Sequence, residues 1–237
     1  MSRFFVTATG TELGKTFVSA ALLQGAQAAG LTVAGLKPVA SGVDDGNLAN
    51  SDPAVLLAAQ GLEQDWPAVK RICPWHFTAA LSPDMAAARE GRRVPFDDLV
   101  RFCRGTLDGP DEFVLVEGVG GVMAPLDERH TVLDWMAALD LPALLVAGTY
   151  LGTISHTLTA LATLAGRGVP VAALILSESI DSPVPPVETA AAIRRFAPDL
   201  PILHLPRLAG PEGWRRSALY ADLTRSGRTA AASTGRH

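Results

Sequence analysis

Short, β-branched apolar runs alternate along the chain with longer segments of helical periodicity. Six runs read as strands: 3–8 (RFFVTA), 31–39 (LTVAGLKPV), 112–118, 142–148, 169–176 and 201–206. Helical patterns cover 15–29, 52–60, 83–90, 96–107, 131–139, 155–165 and 187–196. The strands are nearly continuously apolar, as parallel strands covered on both faces are. Strand–helix alternation predicts an α/β fold, a doubly wound and mainly parallel sheet flanked by helices, in one domain. Such sheets bind ligands at the carboxyl ends of their strands. The stretch 41–95 is richer in polar and turn residues and reads as an elaborated crossover. Near the C-terminus, GPEGWRRSALYADL reads as a short helix packing Trp214 and Leu219. Apolar periodicity stops after Asp222, so the expected domain is 1–222 and 223–237 reads as a flexible tail.

Composition narrows the class. With 48% hydrophobic and 19% charged residues, the 237-residue chain can fill a sizeable core. A formal net charge of −4 gives no general attraction to nucleic acid or to an anionic membrane. Cys73 and Cys103 are too few for a disulfide framework and read as reduced thiols. No apolar run approaches the ~20 residues that span a bilayer. The N-terminus enters a strand directly and does not read as a signal peptide. The expected location is the cytoplasm and the expected partners are small molecules. CPWH (73–76) offers one Cys and one His, too few for zinc, and reads as packing.

The first candidate chemistry lies between the first strand and helix, in VTATGTELGKT (6–16). Gly14-Lys15-Thr16 is the second half of a phosphate loop, G-x-x-x-x-G-K-[ST], in the strand–loop–helix setting that loop requires. Backbone N–H groups at the helix start face an anion and the helix dipole adds partial positive charge. Lys15 reaches the outer phosphates and the Thr16 hydroxyl can ligate Mg²⁺. Thr9 stands where the motif has its first glycine. The plain alternative is a strand–helix turn that uses glycine for tight geometry.

Further candidates recur at predicted strand ends. Lys37 closes the second strand, in KPVASG (37–42), where a second cation could stabilise a transferring phosphoryl group. The Ser41 hydroxyl can hold a carboxylate or carbamate oxygen. Asp52, in ANSDPAVL, sits where a helix begins, an N-cap position, and is also a candidate Mg²⁺ ligand. FVLVEGVGG (113–121) is an apolar strand ending abruptly in Glu117, the chemistry of a metal-binding acid, and its glycines are hard to explain as packing.

These segments, in order, resemble the dethiobiotin synthetases. Their loop looks like G-T-x-T-x-V-G-K-T, one residue longer than the usual phosphate loop, and ATGTELGKT matches it at Thr9, Thr11, Gly14, Lys15 and Thr16. Ala8 replaces the leading glycine and Leu13 the valine. A methyl there could cost about 1 kcal/mol if φ must be positive, and nothing if Ala8 ends the strand in the β region. KPVASG, NSD, VLVEGVGG, LSPD (81–84) and YLGTISH (150–156) resemble further family segments. Asp84 replaces a family histidine and Ser155 an asparagine, and both are expected near the substrate pocket. Taken alone, His156 reads as a buried helix histidine. Ser177 stands where the family has an adenine-reading asparagine, and its hydroxyl cannot make the bidentate contact of an amide.

The resemblance implies an ATP-dependent ligase acting in biotin biosynthesis, with Mg²⁺. It would convert 7,8-diaminononanoate and CO2 (or bicarbonate) into dethiobiotin through a carbamate and a carbamic–phosphoric anhydride. Other nucleoside triphosphates are possible co-substrates, given Ser177. It further implies that Lys15, Lys37, Thr11 and Ser41 serve catalysis. Thr9, Glu12, Leu13, Gly14, Lys15, Thr16, Phe17, Glu117, Gly118, Ser177 and Pro206 would bind nucleotide. Lys37, Ser41, Gly120, Leu151 and Gly152 would bind substrate, the last two across a homodimer interface. Thr16, Asp52 and Glu117 would hold Mg²⁺. The rivals are another carboxylate-activating P-loop amide ligase, whose usual glutaminase domain 237 residues leave no room for, and a partition-type nucleotide-switch ATPase. The latter usually carries an extra lysine early in its loop, absent from TATGTE.

Overall fold

A computed structural model describes residues 1–210 and 212–234, with side chains described as far as residue 226. The main sheet is six-stranded and parallel, in the order β2-β5-β1-β6-β7-β8. Its strands are β1 (Ser2–Ala8), β2 (Val33–Leu36), β5 (Phe113–Glu117), β6 (Ala143–Ala147), β7 (Val171–Ser177) and β8 (Ile202–Leu205). Every residue of β5 and β6 is buried, as continuous apolar runs require when both faces are covered. The strand order reverses at β1, so the segment leaving it opens into the crevice where doubly wound sheets bind ligands.

Helix α1 (Lys15–Ala28) is rich in Ala and Leu and packs beside α2 (Asp52–Ala59) and α9 (Leu219–Thr234). Gly25 lets α9 come close: a Cβ there would lie 2.5 Å from the Cβ of Tyr220. On the other face Phe5 meets Trp135 of α6 (Val132–Leu139) edge-on, with ring centroids 4.8 Å apart. Strand β2 forms one edge of the sheet. Gln60, just after α2, saturates that edge by accepting from the Gly35 N–H (2.7 Å) and donating to the Gly35 carbonyl (3.2 Å).

Several elements differ from the sequence expectation. The run 31–39 is not one strand. Pro38 cannot donate to a ladder, so β2 ends at Leu36 and the chain restarts as β3 (Val39–Ser41). β3 pairs in parallel with β4 (Trp75–Phe77) in a second, two-stranded sheet. Neither β4 nor α3 (Trp66–Ile72) was visible as a periodic pattern, both being short. Trp214 and Leu219 are buried as expected, but in a 3-10 turn (Gly213–Arg216) followed by α9. Helix α9 runs past Asp222, so the expected tail is helical to Thr234, and 235–237 lie outside the described residues. The remaining helices are α4 (Pro83–Arg89), α5 (Phe96–Leu107), α7 (Thr153–Gly166) and α8 (Pro186–Arg194). Among the described residues no helix is long and apolar enough to cross a membrane.

Candidate active site

β1 ends at Ala8, fully buried and paired with Val146 of β6. Ala8 keeps a negative φ, so the methyl that replaces the family glycine costs no backbone strain. The loop turns on two left-handed residues instead, Glu12 (φ 59°) and Gly14 (φ 88°). Such turns direct successive backbone N–H groups into one concavity. Gly14 caps α1, and a Cβ there would lie 3.1 Å from the Ser177 hydroxyl at the end of β7. Ser177 therefore presses on the loop from the far side. The facing wall is Gly120-Gly121: a Cβ on Gly121 would lie 3.3 Å from the Gly10 backbone.

A cavity of about 740 Å³ opens where these pieces meet the carboxyl ends of β1, β2 and β5. Of the predicted site residues, Thr11, Glu12, Gly14, Lys15, Thr16, Lys37, Ser41, Asp52 and Gly120 line it. Its floor is a charged cluster. The Lys37 ammonium, 1% exposed, donates to Glu117 Oε1 (2.8 Å) and to the Gly118 carbonyl (2.7 Å), and lies 3.3 Å from Asp52 Oδ2. The Thr16 hydroxyl lies 2.7 Å from Asp52 Oδ1 and 2.8 Å from Glu117 Oε1. The second oxygen of Glu117 is buried without a partner. Lys15 is held back from the cavity centre by the carbonyls of Gly120 (2.7 Å) and Gly10 (3.4 Å).

Burial would push the Lys37 ammonium down, but the Glu117 and Asp52 carboxylates hold it above the usual lysine range. Asp52 is likewise opposed by burial and held low by Lys37 and the Thr16 hydroxyl. Lys15 lacks a contacting carboxylate. Burial, then repulsion from Lys37, brings it down to about 8.

Thr16, Asp52 and Glu117 form a hard-oxygen donor set, and the orphaned Glu117 oxygen suits a small divalent cation. No cluster of three or more His, Cys, Asp or Glu side chains able to hold a metal occurs among the described residues. Further ligands would have to come from bound phosphate and water. Asp52 is not the N-cap expected from its position. Ser51 caps α2 by accepting from the Ala54 N–H (3.4 Å), which frees Asp52, the first helical residue, to face Thr16 and Lys37.

Other predicted residues stand apart from the cavity. Leu13 and Phe17 pack against the core, and Thr9 is half-buried with an unpartnered hydroxyl oxygen. Pro206 is exposed after β8. Leu151 is 87% exposed beside Gly152, whose φ of 99° starts α7. His156 is exposed and bonded to the Tyr150 hydroxyl (2.8 Å), against the expectation of a buried helix histidine, because among the described residues Ile154 to His156 are left exposed on that face of α7. Ser155 shares that exposed turn. Asp84 lines a neighbouring groove instead of the cavity. His76 of CPWH bonds the Cys73 carbonyl (3.1 Å) and packs at a tilt against Trp66, with ring centroids 5.0 Å apart, a packing role. The cavity also uses residues given no role from sequence: Ala80 to Pro83, Val119, Gly121 and Ala124. The double glycine after Glu117 was the legible signal for the last three.

A family model described as an AAA domain matches residues 2–210. The chain is 51% identical to the ATP-dependent dethiobiotin synthetase BioD of Acidiphilium cryptum, covering 82% of this chain and 88% of the relative. It is 49% identical to the protein of the same name from Methylobacterium nodulans, over 83% and 90%. Among solved structures it is similar to the septum site-determining protein MinD of Pyrococcus horikoshii (TM-score 0.51, 98% of both chains). At 16% identity that likeness is one of fold.

Proposed function

The chain belongs to the ATP-dependent dethiobiotin synthetase family, and on that premise we propose how its own residues carry out the reaction. The enzyme is an ATP-dependent ligase that forms dethiobiotin in biotin biosynthesis. The proposed substrates are 7,8-diaminononanoate and CO2. One amine adds to CO2 and loses a proton, giving a carbamate. A carbamate oxygen attacks the γ-phosphate and expels ADP. The second amine then attacks the carbamoyl carbon of the mixed anhydride, displaces phosphate and loses a proton, closing the cyclic urea.

A carbamate is a poor electrophile, so its oxygen must be made a leaving group before the ring can close. Phosphoryl transfer needs mainly alignment and charge neutralisation. The loop amides around Gly14, with Lys15, hold the phosphates. Lys37 lies at the carboxyl end of β2 on the cavity floor, and its ammonium stabilises the transferring group. Thr11 and Ser41 line the same cavity; Ser41 orients the carbamate, and Thr11 contacts phosphate or carbamate. Thr16, Asp52 and Glu117 would hold Mg²⁺, which when bound supplies further positive charge to the phosphates. Glu12, Gly118 and Ser177, with Thr9, Leu13, Phe17 and Pro206 behind or beside the loop, complete the proposed nucleotide site. Leu151, Gly152 and Gly120 complete the diamine site. We place the first two at a homodimer interface, where the exposed start of α7 meets the partner's substrate. The cytoplasm is the proposed location.

One observation carries this reading: two buried lysines, two carboxylates and the loop threonine converge on a single cavity at the strand ends. The test is phosphate release with Mg²⁺ and bicarbonate, with and without 7,8-diaminononanoate, across ATP, CTP, GTP and UTP. Release that depends on the diamine, with product of the mass of dethiobiotin, is expected. Release that ignores the diamine would move the weight to a nucleotide switch. A flat response across the four nucleotides would mean that Ser177 has given up base selection.

A further inference from the structure

The oxygens that a divalent cation would use on the cavity floor already hold a cation. Lys37 Nζ takes Glu117 Oε1 at 2.8 Å and faces Asp52 Oδ2 at 3.3 Å. The hydroxyl of Thr16, the third ligand candidate, lies within 2.8 Å of these same two carboxylates and can donate to either. The remaining Glu117 oxygen is buried without a partner. Formal charge tells the same story. Lys15 and Lys37 cancel Asp52 and Glu117, so the cluster is neutral as it stands. A divalent cation entering alone would leave two uncompensated positive charges beside the buried Lys15, Lys37 and Glu117, with only Asp52 half exposed, which is unfavourable. Entering with a polyphosphate, it brings its own counter-charge, and the phosphate oxygens offer Lys37 a new partner.

We propose that Lys37 is the resident cation of the nucleotide-free enzyme: it occupies the carboxylates of the metal site and keeps that site closed until a nucleotide draws its ammonium away. This rests on the nucleotide and metal assignments above. Lys37 then has two alternating posts. In the free enzyme it stabilises Glu117, which would otherwise be an unpaired buried carboxylate. In the loaded enzyme it neutralises phosphate. Metal and nucleotide enter as a pair, and the free enzyme ignores metal alone.

The test uses Mn²⁺ as probe, followed through its free-ion electron paramagnetic resonance signal, on the full chain. Wild-type protein with a non-hydrolysable ATP analogue should bind Mn²⁺, and failure here would remove the metal assignment itself. Without nucleotide, wild type should bind Mn²⁺ more weakly by roughly tenfold or more. Lys37→Met should gain metal-only binding of about the same factor, and Mn²⁺ alone should raise its melting temperature while leaving that of wild type unmoved. Equal metal-only binding by wild type and Lys37→Met overturns the proposal. Should Lys37→Met not fold, Lys37→Arg decides. The guanidinium keeps the charge, so metal-only binding must stay weak, and tight binding by that variant sinks the idea.

Discussion

At the residue scale the two lysines divide the work by their surroundings. Lys37 is locked among carboxylates and stays charged, whereas Lys15 is buried beside another cation and has no acid in contact. Lys37→Ala is predicted to lower diamine-dependent turnover by well over tenfold, about 1.4 kcal/mol in barrier, in a steady-state phosphate assay. A smaller loss would remove its catalytic role. Lys15→Gln is predicted to cost more, since it strips charge from the phosphate cradle itself. The two thiols are predicted to be silent. Burial pushes both Cys73 and Cys103 up to about 12, so almost no thiolate exists at pH 8. A disulfide reagent should label neither thiol in native protein and both in denaturant. Rapid native labelling would mean that one of them opens to solvent. Motif spacing singled out the lysines, Thr16 and Glu117 in the sequence, and the fold gathers them into one cluster. Sequence alone misjudged Asp52 and His156, because a cap is decided by one neighbour's hydroxyl and exposure by what else packs on a helix face.

At the element scale, the strands were legible wherever both faces are covered, since burial on both sides leaves an unbroken apolar run. The exception is 31–39, which carries enough apolar residues for one strand but contains Pro38. Lys37 owes its place to that break. It sits where the edge strand stops and the chain leaves for the second sheet, so its side chain turns to the floor of the cavity. Short elements such as α3 and β4 give too few periods to read. The continuation of helix α9 past Asp222 was missed for a different reason. The helix makes its contacts on α1, and Tyr220 also meets Phe113 edge-on at 5.5 Å, a partner far away in sequence. Gly25→Ala tests that packing. Alanine favours a helix over glycine by about 1 kcal/mol. The added Cβ, however, would collide with Tyr220, and overpacking typically costs about 1–3 kcal/mol. The variant is predicted to be less stable than wild type by urea denaturation. A more stable variant would show that α9 yields at little cost.

For the whole molecule, Glu117 and Lys37 at strand ends meet Lys15 and Asp52 at helix starts along the carboxyl edge of the sheet, and the cavity has the loop on one side and Gly120-Gly121 on the other. The start of α7, the β7–α8 connection and the first turn of α8 leave apolar side chains in solvent, with Leu151 at 87%, Ile180 at 75% and Val187 at 68% exposure. A second copy of the chain covering that face would also complete the diamine pocket. Leu151→Glu is predicted to shift the protein toward monomer by light scattering and to raise KM for the diamine. It should leave the melting temperature of the monomer little changed, because the side chain touches almost nothing in its own chain. Unaltered mass and KM would exclude this face from both roles. Position along the chain cannot reveal such a surface, because the pattern marks what is apolar and not which copy buries it.

The central claim is that a carbamate oxygen attacks the γ-phosphate in the cavity of Lys15 and Lys37. Its most direct test is a rapid single turnover with ¹⁸O-labelled CO2, the diamine and unlabelled ATP, followed by mass analysis of the released phosphate. The bridging oxygen of the anhydride comes from CO2 and leaves with phosphorus when the ring closes. Phosphate carrying one heavy oxygen is the predicted result. Unlabelled phosphate, formed as fast as dethiobiotin, would mean that water or another group takes the phosphoryl, and would contradict the proposed course of the reaction.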